Sequence, residues 1–179
     1  MKVIIAEKPS VARSIAAIVG ATVKKDGYME GGGYAVTWAF GHLVGLAMPE
    51  AYGFTGFRGE NLPILPKEFT LVPRQVREGK EYKADSGALK QLKIIKGLFD
   101  RADEIIVATD AGREGELIFR FIYNYVECRT SFRRLWISSL TDRAIREGMQ
   151  TLRPGNDYDN LYLSARARSQ ADWIVGYPR

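Results

Sequence analysis

Two stretches of the chain hold most of the side chains that could do chemistry. Glu7-Lys8-Pro9-Ser10 stands near the start, and Thr109-Asp110-Ala111-Gly112-Arg113-Glu114-Gly115-Glu116 lies far along the chain. If Glu7, Asp110 and Glu114 meet, three carboxylates repel strongly unless a cation or a shared proton relieves them. Neither stretch holds a His or a Cys. A set of hard oxygen ligands favours Mg²⁺, which keeps several waters and usually bridges to a phosphate. A carboxylate crowded by others also has a raised pKa, which suits a general acid or base. Lys8 adds a positive charge beside Glu7 that could contact a phosphate. Spacing alone leaves a plainer reading open: solvated strand ends, and acidic capping of a helix N-terminus.

The surrounding residues indicate which elements would carry these groups. Lys2 to Glu7 is a β-branched run ending in charge and suits a buried strand. Pro9 and Ser10 open a helix in which Val11, Ile15 and Ile18 recur, with Gly20 as its stop. Thr22 to Met29 and Tyr34 to Phe40 read as two strands joined across Gly31-Gly32-Gly33. That glycine run lacks the Lys-Ser/Thr ending of a phosphate loop and reads as a hairpin turn. Gly41 to Pro73, with Pro49, Pro63, Pro66 and Pro73, is mostly irregular, and a loop of that length hints at function. Ser86 to Phe99 is a helix with Leu89, Leu92, Ile95 and Phe99 on one face. Glu104 to Thr109 is a second buried strand, Arg113 to Val126 a helix, and Arg134 to Ile137 a third strand of the parallel set. Thr141 caps a helix reaching about Leu152. Arg153-Pro154-Gly155-Asn156 is a break, and Tyr158 to Val175 is a last helix. Alternating strands and helices predict an α/β fold with a mostly parallel sheet covered on both faces. In such folds the site lies beyond the carboxyl ends of the strands, where Glu7 and Asp110 fall.

Composition narrows the classes. A chain of 179 residues allows one domain, or one and the start of a second. One Cys excludes an internal disulfide, and one His excludes a zinc site built on several His ligands. No apolar run approaches the roughly 20 residues of a membrane span. Charge at Lys2, Glu7 and Lys8 interrupts what would be a signal peptide, so a cytoplasmic protein is expected. The net charge of +5 permits a polyanionic partner without requiring one.

The two acidic stretches, taken together, resemble the Toprim domain of type IA DNA topoisomerases, most nearly the bacterial topoisomerase III branch. Gly41-His42-Leu43, Leu62-Pro63-Ile64-Leu65-Pro66 and Ser164-Ala165-Arg166-Ala167-Arg168-Ser169-Gln170-Ala171-Asp172-Trp173 extend the resemblance over essentially the whole chain. The acid pattern is shared with primases and some nucleases. Glu-Lys-Pro-Ser combined with the helix of Arg168, Asp172 and Trp173 is much more specific. The resemblance implies a Rossmann-like Toprim fold in residues 1–153. It implies that residues 154–179 begin a following helical domain that lines a single-strand DNA groove. It implies an enzyme that cuts one DNA strand with a tyrosine, holds the 5′ phosphate covalently, passes another strand and reseals, without ATP. Glu7 matches the glutamate that transfers a proton at the scissile ester and, with Asp110 and Glu114, a Mg²⁺ ligand. Lys8 matches the lysine on the scissile phosphate, and Arg168 and Asp172 match residues near the DNA. The cytoplasmic enzyme would work at the nucleoid. Gly112 stands where the family's usual middle aspartate falls, which removes one ligand. Glu116 turns away from Glu114, because successive helical residues rotate by about 100°. The number of metal ions therefore stays open.

His42 could contact a phosphate or be a structural histidine. Arg168 and Asp172, four apart, could equally form a surface ion pair. Arg129, Arg133, Arg134, Arg143, Arg146 and Arg153 form a basic stretch that could track a DNA backbone, although a solvated helix face explains most of them. Tyr123, Tyr125, Trp136 and Trp173 read as core or domain-contact residues, and Cys128 has no assigned role. The family's nucleophilic tyrosine lies in a later domain. None of the nine tyrosines here sits in matching context, and Tyr177 reads as packing at a helix end. The expectation is a fragment that binds metal, and DNA weakly, without cleaving DNA. The alternatives are a stand-alone Toprim nuclease or primase-like phosphotransfer enzyme, and a non-catalytic α/β module. Oligomeric state is left open.

Overall fold

A computed structural model describes residues 1–48 and 69–176. The Leu62-Pro63-Ile64-Leu65-Pro66 stretch and Tyr177 lie outside the described residues. The chain opens with β1 (Lys2–Ala6), whose Val3, Ile4, Ile5 and Ala6 are fully buried. α1 (Pro9–Val19) follows, with Pro in its first turn and Gly20 closing it in the left-handed conformation at φ 84°. That φ costs a residue with a Cβ and suits glycine.

Three strands come next: β2 (Val23–Lys25), β3 (Tyr28–Gly31) and β4 (Tyr34–Trp38). The expected single strand from Thr22 to Met29 is thus a hairpin, because Asp26-Gly27 turns the chain, with Gly27 at φ 84°. Gly31 ends β3 and Gly32-Gly33 make the turn into β4, so the glycine run is the expected hairpin connection. β5 (Val44–Leu46) pairs antiparallel with β6 (Leu71–Pro73), and β7 (Gln75–Glu78) with β8 (Glu81–Ala84). The irregular reading of Gly41 to Pro73 covers β5 and β6, and no element is expected from the sequence where β7 and β8 lie.

α2 (Ser86–Arg101) starts at Asp85, whose side chain accepts a hydrogen bond from the Gly87 amide. Leu89 is exposed, and Ala88 takes the buried place beside Leu92, Ile95 and Phe99. β9 (Glu104–Ala108), α3 (Arg113–Tyr125) and β10 (Phe132–Arg134) follow. The third strand therefore ends where the sequence reading began it. α4 (Asp142–Gln150) is capped by Thr141, as expected. β11 (Arg153–Pro154), a short 3-10 helix over Gly155–Tyr158 and α5 (Asp159–Gly176) complete the described chain.

The main sheet has the order β11-β10-β9-β1-β4-β3-β2. Its centre, β10-β9-β1-β4, is parallel, and β11, β3 and β2 add antiparallel edges. Side chains alternate across the sheet as the pleat requires. Val3, Ile5, Ile105 and Val107 pack with α2, α3 and α5. Ile4, Ala6, Ile106 and Ala108 pack with α1 and α4. This is the α/β fold with helices on both faces that the sequence predicts. Among the described residues no helix is long and apolar enough to cross a membrane.

Candidate functional site

β1 and β9 are neighbouring parallel strands in register, with Ala6 opposite Ala108. Glu7 and Asp110 therefore leave the same edge of the sheet. The Asp110 amide donates to Glu7 Oε1 at 3.1 Å. Glu7 is half-buried, and burial pushes its carboxyl pKa up. The Asp110 amide pulls the pKa down, and the Asp110 carboxylate adds to the rise. Lys8 is the exposed residue immediately before α1, so its charge stands beside the pair.

Glu114 is placed differently. It sits in the first turn of α3, is 71% exposed, and accepts a hydrogen bond from His42 Nε2. Among the described residues, no three His, Cys, Asp or Glu side chains stand close enough together to hold a metal ion. The structure thus joins two of the three expected carboxylates and sets the third against a histidine. The His42 turn is itself braced. Arg74 donates to the Phe40 carbonyl at 2.9 Å, stacks over the Phe40 ring and pairs with Asp85 at 2.8 Å. No periodicity or motif singles out Arg74.

A cleft of about 600 Å³ opens beside Glu114. His42, Arg113, Arg168 and Asp172 line it with Ser169. α3 supplies one wall and α5 the other. Arg168 and Asp172 are both exposed, and among the described residues they form no ion pair with each other. Trp173, buried one residue on, donates from Nε1 to the Ala47 carbonyl at 2.9 Å and meets the Phe69 ring edge-on. That bond ties α5 to the strand region following His42. Gly112 takes φ 150°, backbone that favours glycine.

The basic stretch divides into different roles. Arg129, Arg146 and Arg153 are exposed, and exposed Arg143 pairs with Glu147. Arg133 is held by both Glu104 oxygens. Arg134 is fully buried beneath the site, and Glu116 is buried against it and Arg120. Neither is available to DNA, which corrects the surface reading of Arg134. Burial raises the Glu116 pKa, and the two guanidinium groups oppose the rise.

The Toprim domain family matches residues 2–140. The chain belongs to the Toprim family. This Toprim chain is 49% identical to DNA topoisomerase 3 of Bacillus subtilis over 176 residues, which is 97% of the chain and 23% of the relative. It is 45% identical to DNA topoisomerase 3 of Shouchella clausii over 179 residues, again 23% of that protein. The Toprim chain therefore spans about a quarter of the length of these relatives. Full-length topoisomerase I from Thermotoga maritima has the same fold over 98% of the chain and 24% of its own length, with a TM-score of 0.62 and 24% identity.

Proposed function

We propose that this Toprim chain supplies the acidic site of a type IA topoisomerase of the topoisomerase III kind. Such an enzyme breaks, passes and rejoins single DNA strands through a 5′-phosphotyrosine. The observation that carries the reading is the bond from the Asp110 amide to Glu7 Oε1. It sets two carboxylates on adjacent strand ends beside Lys8, and Glu114, four residues after Asp110, lines a cleft with two arginines.

The donor chemistry suits a hard cation, since Glu7, Asp110 and Glu114 offer only oxygen, and Glu114 would have to leave His42 to join the other two. These three would hold Mg²⁺, which neutralises phosphate charge when bound. Lys8 contacts the scissile phosphate. Glu7, with its carboxyl pKa raised by burial, exchanges a proton at the ester oxygen. His42, Arg168 and Asp172 orient the strand in the cleft. Among the described residues no tyrosine lines this cleft. The attacking tyrosine is assigned outside the chain, so the chain alone binds Mg²⁺ and, weakly, DNA without cutting it. Residues 1–153 form the Toprim unit, and 154–179 begin the next. The site of action is the cytoplasm, at the nucleoid.

Calorimetric titration with Mg²⁺ in the presence of single-stranded DNA tests this. Asp110→Asn is expected to weaken binding by at least about tenfold, since it removes a charged ligand. No Mg²⁺ binding by the unsubstituted chain overturns the reading. Metal-dependent nicking by this chain alone, abolished by Glu7→Gln, replaces it with a Toprim nuclease.

A further inference from the structure

Among the described residues, the most heavily buried charged side chain lies directly under the Asp110 turn. Arg134 is on β10, next to β9, and its guanidinium points along the underside of the Asp110 turn. Its Nη1 donates to the Val107 carbonyl and to Thr109 Oγ1, each at 3.1 Å. Its Nη2 donates to the Asp110 carbonyl at 2.9 Å. Thr109 Oγ1 in turn donates to the Gly115 carbonyl in α3 at 2.8 Å. The turn is thereby fastened to both β10 and α3.

A buried guanidinium is costly unless its charge is matched and its donors are used. Glu116 supplies the matching charge. Arg134 Nε faces Glu116 Oε1 at 3.4 Å, beyond a good hydrogen bond, and Arg120 Nε holds the other Glu116 oxygen at 3.0 Å. Arg120 is anchored onward to Asp159 and to the Gly155 carbonyl. The Trp136 ring covers the Arg134 guanidinium, with its carbon 5.2 Å from the ring centroid. A core position between two strands could hold an apolar residue at less cost. What the arginine does there that an apolar residue cannot is grip three acceptors, one at the end of β9 and two in the turn that follows it.

We propose that Arg134 is a positioning residue, which fixes the Asp110 backbone from below so that its amide sets the place of the Glu7 carboxylate. The proposal rests on the reading of Glu7 and Asp110 as the working acids. The sequence of contacts is continuous. Arg134 holds the Asp110 carbonyl, and the Asp110 amide holds Glu7 Oε1. Glu116 and Arg120 serve to make the buried cation tolerable. A lysine has one point of charge and no planar fork, so it cannot reproduce the three bonds.

Two folded variants of the whole chain test this: Arg134→Lys, and the charge-balanced double variant Arg134→Gln with Glu116→Gln. Hydrogen exchange of the Asp110 amide is followed by NMR, and Mg²⁺ affinity by calorimetry. Loss of the Asp110 anchor is expected to speed Asp110 amide exchange about tenfold relative to other amides of the sheet. It is expected to weaken Mg²⁺ binding by about tenfold or more. A purely structural side chain would change all amides of the sheet together. A folded variant with Asp110 exchange unchanged relative to the sheet overturns the proposal. So does failure of both variants to unfold cooperatively, which would make Arg134 a folding residue only. If the unsubstituted chain binds no Mg²⁺ while Asp110 exchange responds as expected, the positioning role stands and the metal reading falls.

Discussion

A β-carbon on Gly115 would stand 1.9 Å from the Asp110 carbonyl oxygen. The first turn of α3 therefore touches the backbone of the acidic turn, and only glycine permits the approach. Gly115→Ala should cost about 3 kcal/mol, at the upper end for overpacking, read from denaturant midpoints. Glu7 gives a prediction of opposite sign. Burial raises its carboxyl pKa, so the ionised form is a cost to the folded state at neutral pH. That cost vanishes as pH falls through the folded pKa and the group takes up a proton. In a chelator, Glu7→Gln should melt above the unsubstituted chain at pH 7, and the gap should close below the ordinary carboxylate range. At this scale the sequence was informative about Glu7 and Asp110, because each follows a run of buried β-branched residues. It could not place Arg134 or Glu116. Nothing in a charged residue's type distinguishes a solvated guanidinium from one enclosed by Trp136 and Glu116.

Among the elements, α4 begins with the Thr141 hydroxyl accepting from the Ala144 amide at 3.2 Å. Thr141→Ala removes that cap and should lower stability by about 1 kcal/mol in a urea melt. Elements with a strong period were legible before any coordinates: β1, α1, α2, β9 and α3 lie within a residue or two of their expected bounds. The missed pieces share a physical character. β7 and β8 expose every residue, so no alternation of apolar side chains marks them. β2 is likewise exposed, and the Asp26-Gly27 turn was concealed inside an apparent single strand. β10 lies earlier than the sequence suggests, because the buried Leu135 and half-buried Ile137 continue an apolar run beyond the pairing.

For the molecule as a whole, cations gathered at the cleft set how binding should respond to salt. Arg113 and Arg168 line it, and Lys8 stands at the neighbouring carboxylate pair. If these three meet phosphates, the logarithm of single-strand affinity should fall against the logarithm of salt with a slope of about −2. Fluorescence anisotropy with a labelled oligonucleotide reads it, and Arg168→Ala should flatten the slope by about 0.7. A different consequence follows from how the main sheet ends. One border is β2, short and carrying Lys24 and Lys25, and the other is the two-residue β11 with Pro154 in it. A proline offers no amide, and lysines must shed water before another backbone can approach. Both flanks therefore refuse an incoming strand, and crowded solutions of this protein have no ready template for growing cross-β fibres from its central sheet.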